Sequence, residues 1–200
     1  MGDGVERELI VTGIGGQGVQ LASTVVARAA ILEGREVQLF GSYGGMMRGG
    51  ATETTLVFAD GPVEAPPTVA SAWSAIVMHH EHSAHAWACL GAGSVVFVNS
   101  TVVDRTGEGP GPGPLVLEVP ASDLAVQVGN VMVATMVMVG AYAAATGVVE
   151  LASLMEASRA SLPPYRAQHA ARNDQALQVG FAAVPPGSVP AWSAAAAVAP

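Results

Sequence analysis

The apolar positions fall into short continuous runs separated by longer stretches with helical spacing, and that alternation predicts an α/β fold. Leu9 to Thr12 is a first strand. Val19 to Glu33 follows as a helix whose polar residues Gln20, Thr24 and Arg28 share one narrow stripe, so most of its surface is covered. Val37 to Phe40 is a second strand, and Glu53 to Phe58 alternates as a third. No helix separates those two, so the third is expected to run antiparallel and to make the sheet mixed, mostly parallel. Ala75 to Met78 and Ser94 to Val98 read as central strands buried on both faces, with a helix from about His82 to Leu90 between them. Leu115 to Val119 is the last strand. Thr106 to Pro114 alternates Gly with Pro and is a loop; residues 123 to 182 are helical, broken near Gly147 and at Pro163-Pro164. The expected architecture is a three-layer α/β/α sandwich with a Rossmann-like start. It is flanked by an N-terminal segment, 1–7, without fixed structure and a Pro/Ala-rich tail, 184–200, disordered or held only by a partner.

Composition narrows the function classes. Half of the 200 residues are hydrophobic and only 12% are charged, against about 25% in an ordinary soluble domain, so much of the surface is expected to lie under partner chains. The net charge of −8, with eight Arg and no Lys, gives no electrostatic footprint for nucleic acid. A single cysteine, Cys89, excludes an internal disulfide and excludes an iron–sulfur cluster held by this chain alone. Met1 to Glu6 has neither the basic region nor the apolar core of a signal peptide, and the expected location is the cytoplasm. Val131 to Val149 carries no charge and is about as long as a bilayer helix. It has no Arg or Lys at its flanks and is rich in Ala, Gly and Thr, so it reads as a helix buried in the core and at a subunit contact, not as a membrane span.

Two glycine clusters carry the candidate chemistry. The first strand runs into Gly13-Ile14-Gly15-Gly16-Gln17-Gly18 and then a helix, which gathers backbone N–H groups and the positive end of the helix dipole at one point. Gly13, Gly15 and Gly18 satisfy G-x-G-x-x-G, the fingerprint of a dinucleotide site. Such a site also needs a carboxylate at the end of the second strand to hold the ribose, and Phe40-Gly41-Ser42-Tyr43 offers none. A stand-alone Rossmann-like protein binding a nucleotide or phosphate metabolite and regulating a partner is therefore the alternative reading. The second cluster is Tyr43-Gly44-Gly45-Met46-Met47-Arg48-Gly49-Gly50. Within it Arg48, between small neighbours, suits an anion or a backbone approached in fork geometry, or an intersubunit salt bridge.

The pair of clusters resembles the gamma subunit or domain of the 2-oxoacid:ferredoxin (acceptor) oxidoreductases, which act on pyruvate, 2-oxoglutarate, indolepyruvate and aryl glyoxylates such as phenylglyoxylate. Chains of that family open with G-x-G-G-Q-G and continue with Y-G-P-E-x-R-G-G. The likeness extends to Asn130, which opens a long apolar helix ending near Gly147, and to Asn173-Asp174-Gln175-Ala176-Leu177-Gln178-Val179-Gly180, similar to a closing N-x-x-A-[FL]-x-x-G element; it covers about residues 8 to 182. One departure is that Gly45 and Met46 stand where the family has Pro and Glu, so any ion pair of that Glu with Arg48 is lost. The resemblance implies a non-catalytic, gamma-type domain over 8–183 in a cytoplasmic hetero-oligomer with thiamine-binding and iron–sulfur subunits. The complex would oxidatively decarboxylate a 2-oxoacid using thiamine diphosphate, Mg2+, [4Fe-4S] clusters and coenzyme A, with ferredoxin or a similar acceptor. None of these cofactors is expected to be bound by this chain alone. Site or interface residues implied are Gly13, Gly15, Gly16, Gln17, Gly18, Ser42, Tyr43, Arg48, Gly49, Gly50 and Asn130.

Two smaller features remain. On a helix starting near Glu81, residues His82, His85 and Cys89 would share a face as a zinc set, or would be polar residues at a loop and subunit contact. Met46 and Met47 hint at an apolar lining that fits an aryl 2-oxoacid better than pyruvate.

Overall fold

The structure is a computed structural model that describes residues 5–43, 49–64, 69–103 and 109–192. Six strands form one sheet in the order β2-β3-β1-β4-β5-β6: β1 (Glu6–Ile14), β2 (Glu36–Tyr43), β3 (Ala51–Ala59), β4 (Ser74–Val77), β5 (Val95–Asn99) and β6 (Leu115–Val119). Strand β3 is antiparallel to both its neighbours, β1 and β2, while β1, β4, β5 and β6 pair in parallel. The sheet is thus mixed and mostly parallel, as the missing crossover between β2 and β3 predicts. Strands β1 and β2 are longer than their apolar runs, because pairing with the nine-residue β3 extends β1 along its whole length and β2 along eight residues of it. Glu6 and Arg7, expected in an unstructured leader, already belong to β1.

The two faces of the sheet are covered unequally. Leu9, Val11, Leu56, Phe58, Ile76 and Phe97 point to one face, where α1 (Val19–Leu32), α3 (Ala121–Gln127), α4 (Ala134–Thr146), α5 (Leu151–Ser161) and α6 (Ala170–Ala182) gather over them. Ile10, Ala75, Val77, Val96 and Val98 point to the other, which among the described residues carries one short helix, α2 (Ala84–Ala88), with Trp87 and Cys89. The helix expected over His82 to Leu90 is shorter than its apolar pattern, because His82 sits at φ 62, a conformation that cannot continue into a helix.

Every residue of α4 is buried, which its uniform apolarity requires. Helices α4 and α6 cross at Gly140 and Gly180. A Cβ on Gly180 would overlap the Val137 carbonyl, and one on Gly140 would overlap that of Leu177. The motif at Asn173 to Gly180 is therefore a packing element. Ala176 and Leu177 are fully buried, and Asn173 Nδ2 donates to Ser158 Oγ of α5 at 3.4 Å. The helical stretch breaks at Gly147 and before Pro164 as expected, and also at Gly129 (φ 95), which separates α3 from α4.

Residues 184–192 correct the expectation of a tail that is disordered or held only by a partner. The N–H groups of Gly187, Val189 and Ala191 donate to the carbonyls of Ala144, Ala145 and Thr146, at 2.8, 2.9 and 2.7 Å. Those are the carbonyls that the end of a helix leaves unpaired, and here that end is buried. Trp192 completes the clasp, with Nε1 donating to the Val148 carbonyl at 3.2 Å and the Arg35 guanidinium 3.8 Å above its ring. A composition of Pro, Ala and Ser hides this, since the bonds use backbone groups.

Candidate functional site

The first glycine loop lies at the carboxyl end of β1, the edge where open α/β sheets place ligands. Gly16 (φ 104) and Gly18 (φ 79), the residue that opens α1, take left-handed conformations with open space where a Cβ would be. Conformation, not crowding, selects glycine there. Gly13 is the opposite case, since a Cβ would meet Gln17 Oε1 at 2.5 Å and the side chains of Met78 and Val19 at 3.1 Å. Gln17 itself folds back over the turn. Its Oε1 accepts the Ile14 N–H at 2.9 Å, its Nε2 donates to the Met78 carbonyl at 3.4 Å, and its own carbonyl accepts the hydroxyl of Thr135. One carboxamide thus ties the turn to the exit of β4, and its backbone ties it to α4.

The structure joins the two clusters directly. Gly15 N–H donates to the Gly50 carbonyl at 2.8 Å, and Gly49 N–H returns to the Gly15 carbonyl at 3.3 Å. Asn130 lies beyond the loop's other side, where its Oδ1 accepts the Met132 N–H at 3.0 Å and caps the turn at Val131–Val133 that leads into α4. Ser42 and Tyr43 end β2 opposite Glu53 and Thr52, and their side chains are outside the described residues. Arg48, Met46 and Met47 lie outside the described residues altogether.

Between loop and α4 opens a cavity of about 490 Å³, walled by Gly15, Gly16, Gln17, Met78, Met132 and Thr135. No ionisable side chain lines it among the described residues. Its rim is apolar and exposed: Val131 is 51% and Met132 59% accessible. Met78, Thr135 and Ser122 were not singled out in the sequence, nor was Asn99. This fully buried residue at the end of β5 donates through Nδ2 to Ser122 Oγ at 2.9 Å and to the Met78 carbonyl at 3.5 Å. The one available signal was a polar residue closing an otherwise apolar strand.

Two features of this geometry disfavour a pyridine dinucleotide. The N–H groups of Ile14, Gly15 and Gln17 already have acceptors within the protein, at 2.9, 2.8 and 3.1 Å. In addition β3 intervenes between β1 and β2, so the end of β2, where a ribose-binding carboxylate would stand, is about 10 Å from β1.

The histidine cluster leaves β4 on the thinly covered face. His79 and His80 stack with ring centroids 4.4 Å apart. Burial and then the neighbouring His80 push His79 below the usual imidazole range, which suits its Nδ1 as acceptor of the Glu81 N–H at 3.1 Å. His82, His85 and Cys89 do not form the expected helical set, because His82 precedes α2. Among the described residues no three His, Cys, Asp or Glu side chains are placed to hold a metal ion. Instead His85 lies between two groups, with Nδ1 2.7 Å from Glu53 Oε1 and Nε2 3.6 Å from Cys89 Sγ. Burial, and then the Glu53 charge, push the Cys89 thiol up. Among the described residues, no helix is long and apolar enough to cross a membrane.

Comparison with known proteins agrees with this architecture. Residues 8–183 match the family profile described as pyruvate ferredoxin/flavodoxin oxidoreductase. The chain is 33% identical over 184 residues to the 2-oxoglutarate synthase subunit KorC of Methanothermobacter marburgensis, covering 88% of this chain and 95% of that protein. It is similar to the crystal structure of the keto/oxoacid ferredoxin oxidoreductase gamma subunit from Geobacter sulfurreducens, with TM-score 0.71, 30% identity, and 89% and 95% of the two chains covered. The fold also recurs in the 2-oxoglutarate:ferredoxin oxidoreductase from Magnetococcus marinus solved with 2-oxoglutarate, coenzyme A and succinyl-CoA. That match has TM-score 0.79 and 18% identity, and spans 94% of this chain and 33% of the other.

Proposed function

We infer the role of this chain from its membership: it belongs to the pyruvate ferredoxin/flavodoxin oxidoreductase family. We propose that it is the gamma-type subunit of a thiamine-diphosphate-dependent 2-oxoacid:acceptor oxidoreductase. The complex would decarboxylate a 2-oxoacid oxidatively, pass electrons to ferredoxin or a similar acceptor and hand the acyl group to coenzyme A. The relative named as a 2-oxoglutarate synthase subunit makes 2-oxoglutarate the first substrate to try. Thiamine diphosphate, with Mg2+, supplies the carbon–carbon bond cleavage when bound, and placement is the protein's share. A chain with one cysteine cannot ligate a [4Fe-4S] cluster by itself, so clusters belong to partner subunits in a cytoplasmic hetero-oligomer.

The observation that carries this reading is the composite edge made by the two glycine clusters. In the turn at Gly13 to Gly18 the N–H groups of Ile14, Gly15 and Gln17 are already bonded within the protein, and the turn faces a cavity with no ionisable lining among the described residues and with exposed Val131 and Met132 at the rim. An edge of that kind suits a protein surface, or the amide-bearing uncharged arm of coenzyme A, better than a free phosphate. Arg48, one residue before Gly49 in the sequence, is proposed as the anion-seeking group of the second cluster. The test is co-purification of the tagged chain from its own source, followed by mass spectrometry. The expected outcome is recovery of a thiamine-binding and a cluster-bearing polypeptide with 2-oxoacid oxidation in the pool. A stable monomer whose melting temperature rises with a nucleotide would favour the stand-alone binding protein instead. Arg48→Ala is expected to lower turnover or assembly, and intact assembly with unchanged turnover would remove Arg48 from the site.

A further inference from the structure

On the thinly covered face of the sheet, beyond β1 from the glycine-loop cavity, lies a second pocket of about 420 Å³ that the proposed role does not use. Its walls come from three separate elements: Thr12 of β1, Phe40 of β2, and Thr52, Glu53 and Thr55 of β3, with His82 and His85 closing the side toward α2. The walls are fastened together. His85 Nδ1 holds Glu53 at 2.7 Å, its Nε2 meets Cys89 Sγ at 3.6 Å, and that sulfur donates to the Val69 carbonyl at 3.6 Å. Thr12, fully buried, gives its hydroxyl proton to the His82 carbonyl at 3.1 Å and ties β1 to the turn before α2.

The chemistry of these walls is one-sided. Among the described residues Glu53 is the one carboxylate that lines the pocket, its side chain is 18% exposed, and no arginine lines it; the histidines carry charge only when protonated. The Glu53 charge is felt locally, since after burial it is the second cause raising the Cys89 thiol. Thr55, two residues on from Glu53 and so on the same face of β3, adds a hydroxyl beside the carboxylate, and Phe40, 45% exposed and paired with Thr55, presents a ring at the mouth. A carboxylate flanked by a ring and a hydroxyl matches a flat cation with several N–H donors better than a compact ammonium.

We propose that this pocket binds a guanidinium group, with Glu53 as its counter-charge and Phe40 as its stacking face. The inference stands apart from the subunit role proposed above and survives or fails independently of it. The test is an NMR titration of the full chain with N-acetyl-argininamide, using N-acetyl-citrullinamide as the uncharged isostere and following Thr52, His85 and Phe40. Saturable shifts are expected with the arginine probe, and binding at least tenfold weaker with the citrulline probe and in Glu53→Gln. Phe40→Leu, at an exposed edge position where folding is little perturbed, is expected to weaken binding several-fold. Absence of saturable shifts in the unaltered chain, equal binding of the two probes, or unchanged binding in a folded Glu53→Gln chain would overturn the proposal. The same titration of the assembled complex separates the two sources of such a group. A site for a free guanidino compound binds the probe in both forms, and a site filled by another polypeptide's arginine binds it in the isolated chain alone.

Discussion

Glycines serve opposite purposes at two places in this chain. At the carboxyl edge of β1, Gly16, Gly18 and Gly49 have φ of 104, 79 and 88, and open space where a side chain would sit. At the crossing of α4 and α6, Gly140 and Gly180 have no room at all, because the backbone carbonyls of Leu177 and Val137 occupy it. The first set is chosen for what the backbone must do beside a cavity, and the second for how closely two helices approach. Loss of the first should damage a site, and loss of the second should damage the fold.

Substitutions that separate shape from space break this comparison most sharply. Gly180→Ala places a methyl group in the Val137 carbonyl and is expected to cost about 3 kcal/mol or more, because two helix backbones must part. Gly180→Asn should be no better, and chemical denaturation measures both. Gln17→Leu keeps the volume but leaves the Ile14 N–H without its 2.9 Å acceptor, for an expected loss of about 2 kcal/mol. Gly18→Ala should cost about 1–2 kcal/mol for its left-handed backbone, and Gly18→Asn clearly less, since Asn tolerates that region. Asn rescue at Gly18 but not at Gly180 is the pattern the comparison requires, and equal behaviour at the two positions would dissolve it. Thr135→Val removes the hydroxyl that the Gln17 carbonyl accepts and should cost about 1 kcal/mol by thermal or chemical unfolding.

The first half of the fold was legible because its signals are local. A continuous apolar run, a glycine turn and a helical stripe identify β1, the loop and α1, and the missing crossover identifies β3 as antiparallel. The insertion of β3 between β1 and β2 was not legible, since the order of strands is set by pairing between distant segments. Gly140 and Gly180 fall within stretches that read as helical, and their role at a crossing shows only once the second helix is in place. The tail from Val184 reads as low complexity because its attachment to α4 runs through backbone groups, with only Trp192 as a side-chain marker. At the site, Gln17 and the two clusters were visible as motif residues, and their mutual hydrogen bonds were not. The meeting of Glu53 with His85 joins residues that no sequence pattern links.

The edge built by the two glycine clusters is proposed as a docking surface for other subunits and not as a site for a soluble dinucleotide. Hydrogen–deuterium exchange on the isolated chain and on the co-purified complex tests it most directly. Assembly is expected to slow exchange at residues 13–18 and 128–133, and NADH to leave both segments of the isolated chain unchanged. Exchange there that is untouched by assembly, or slowed by NADH in the absence of any partner, would contradict it.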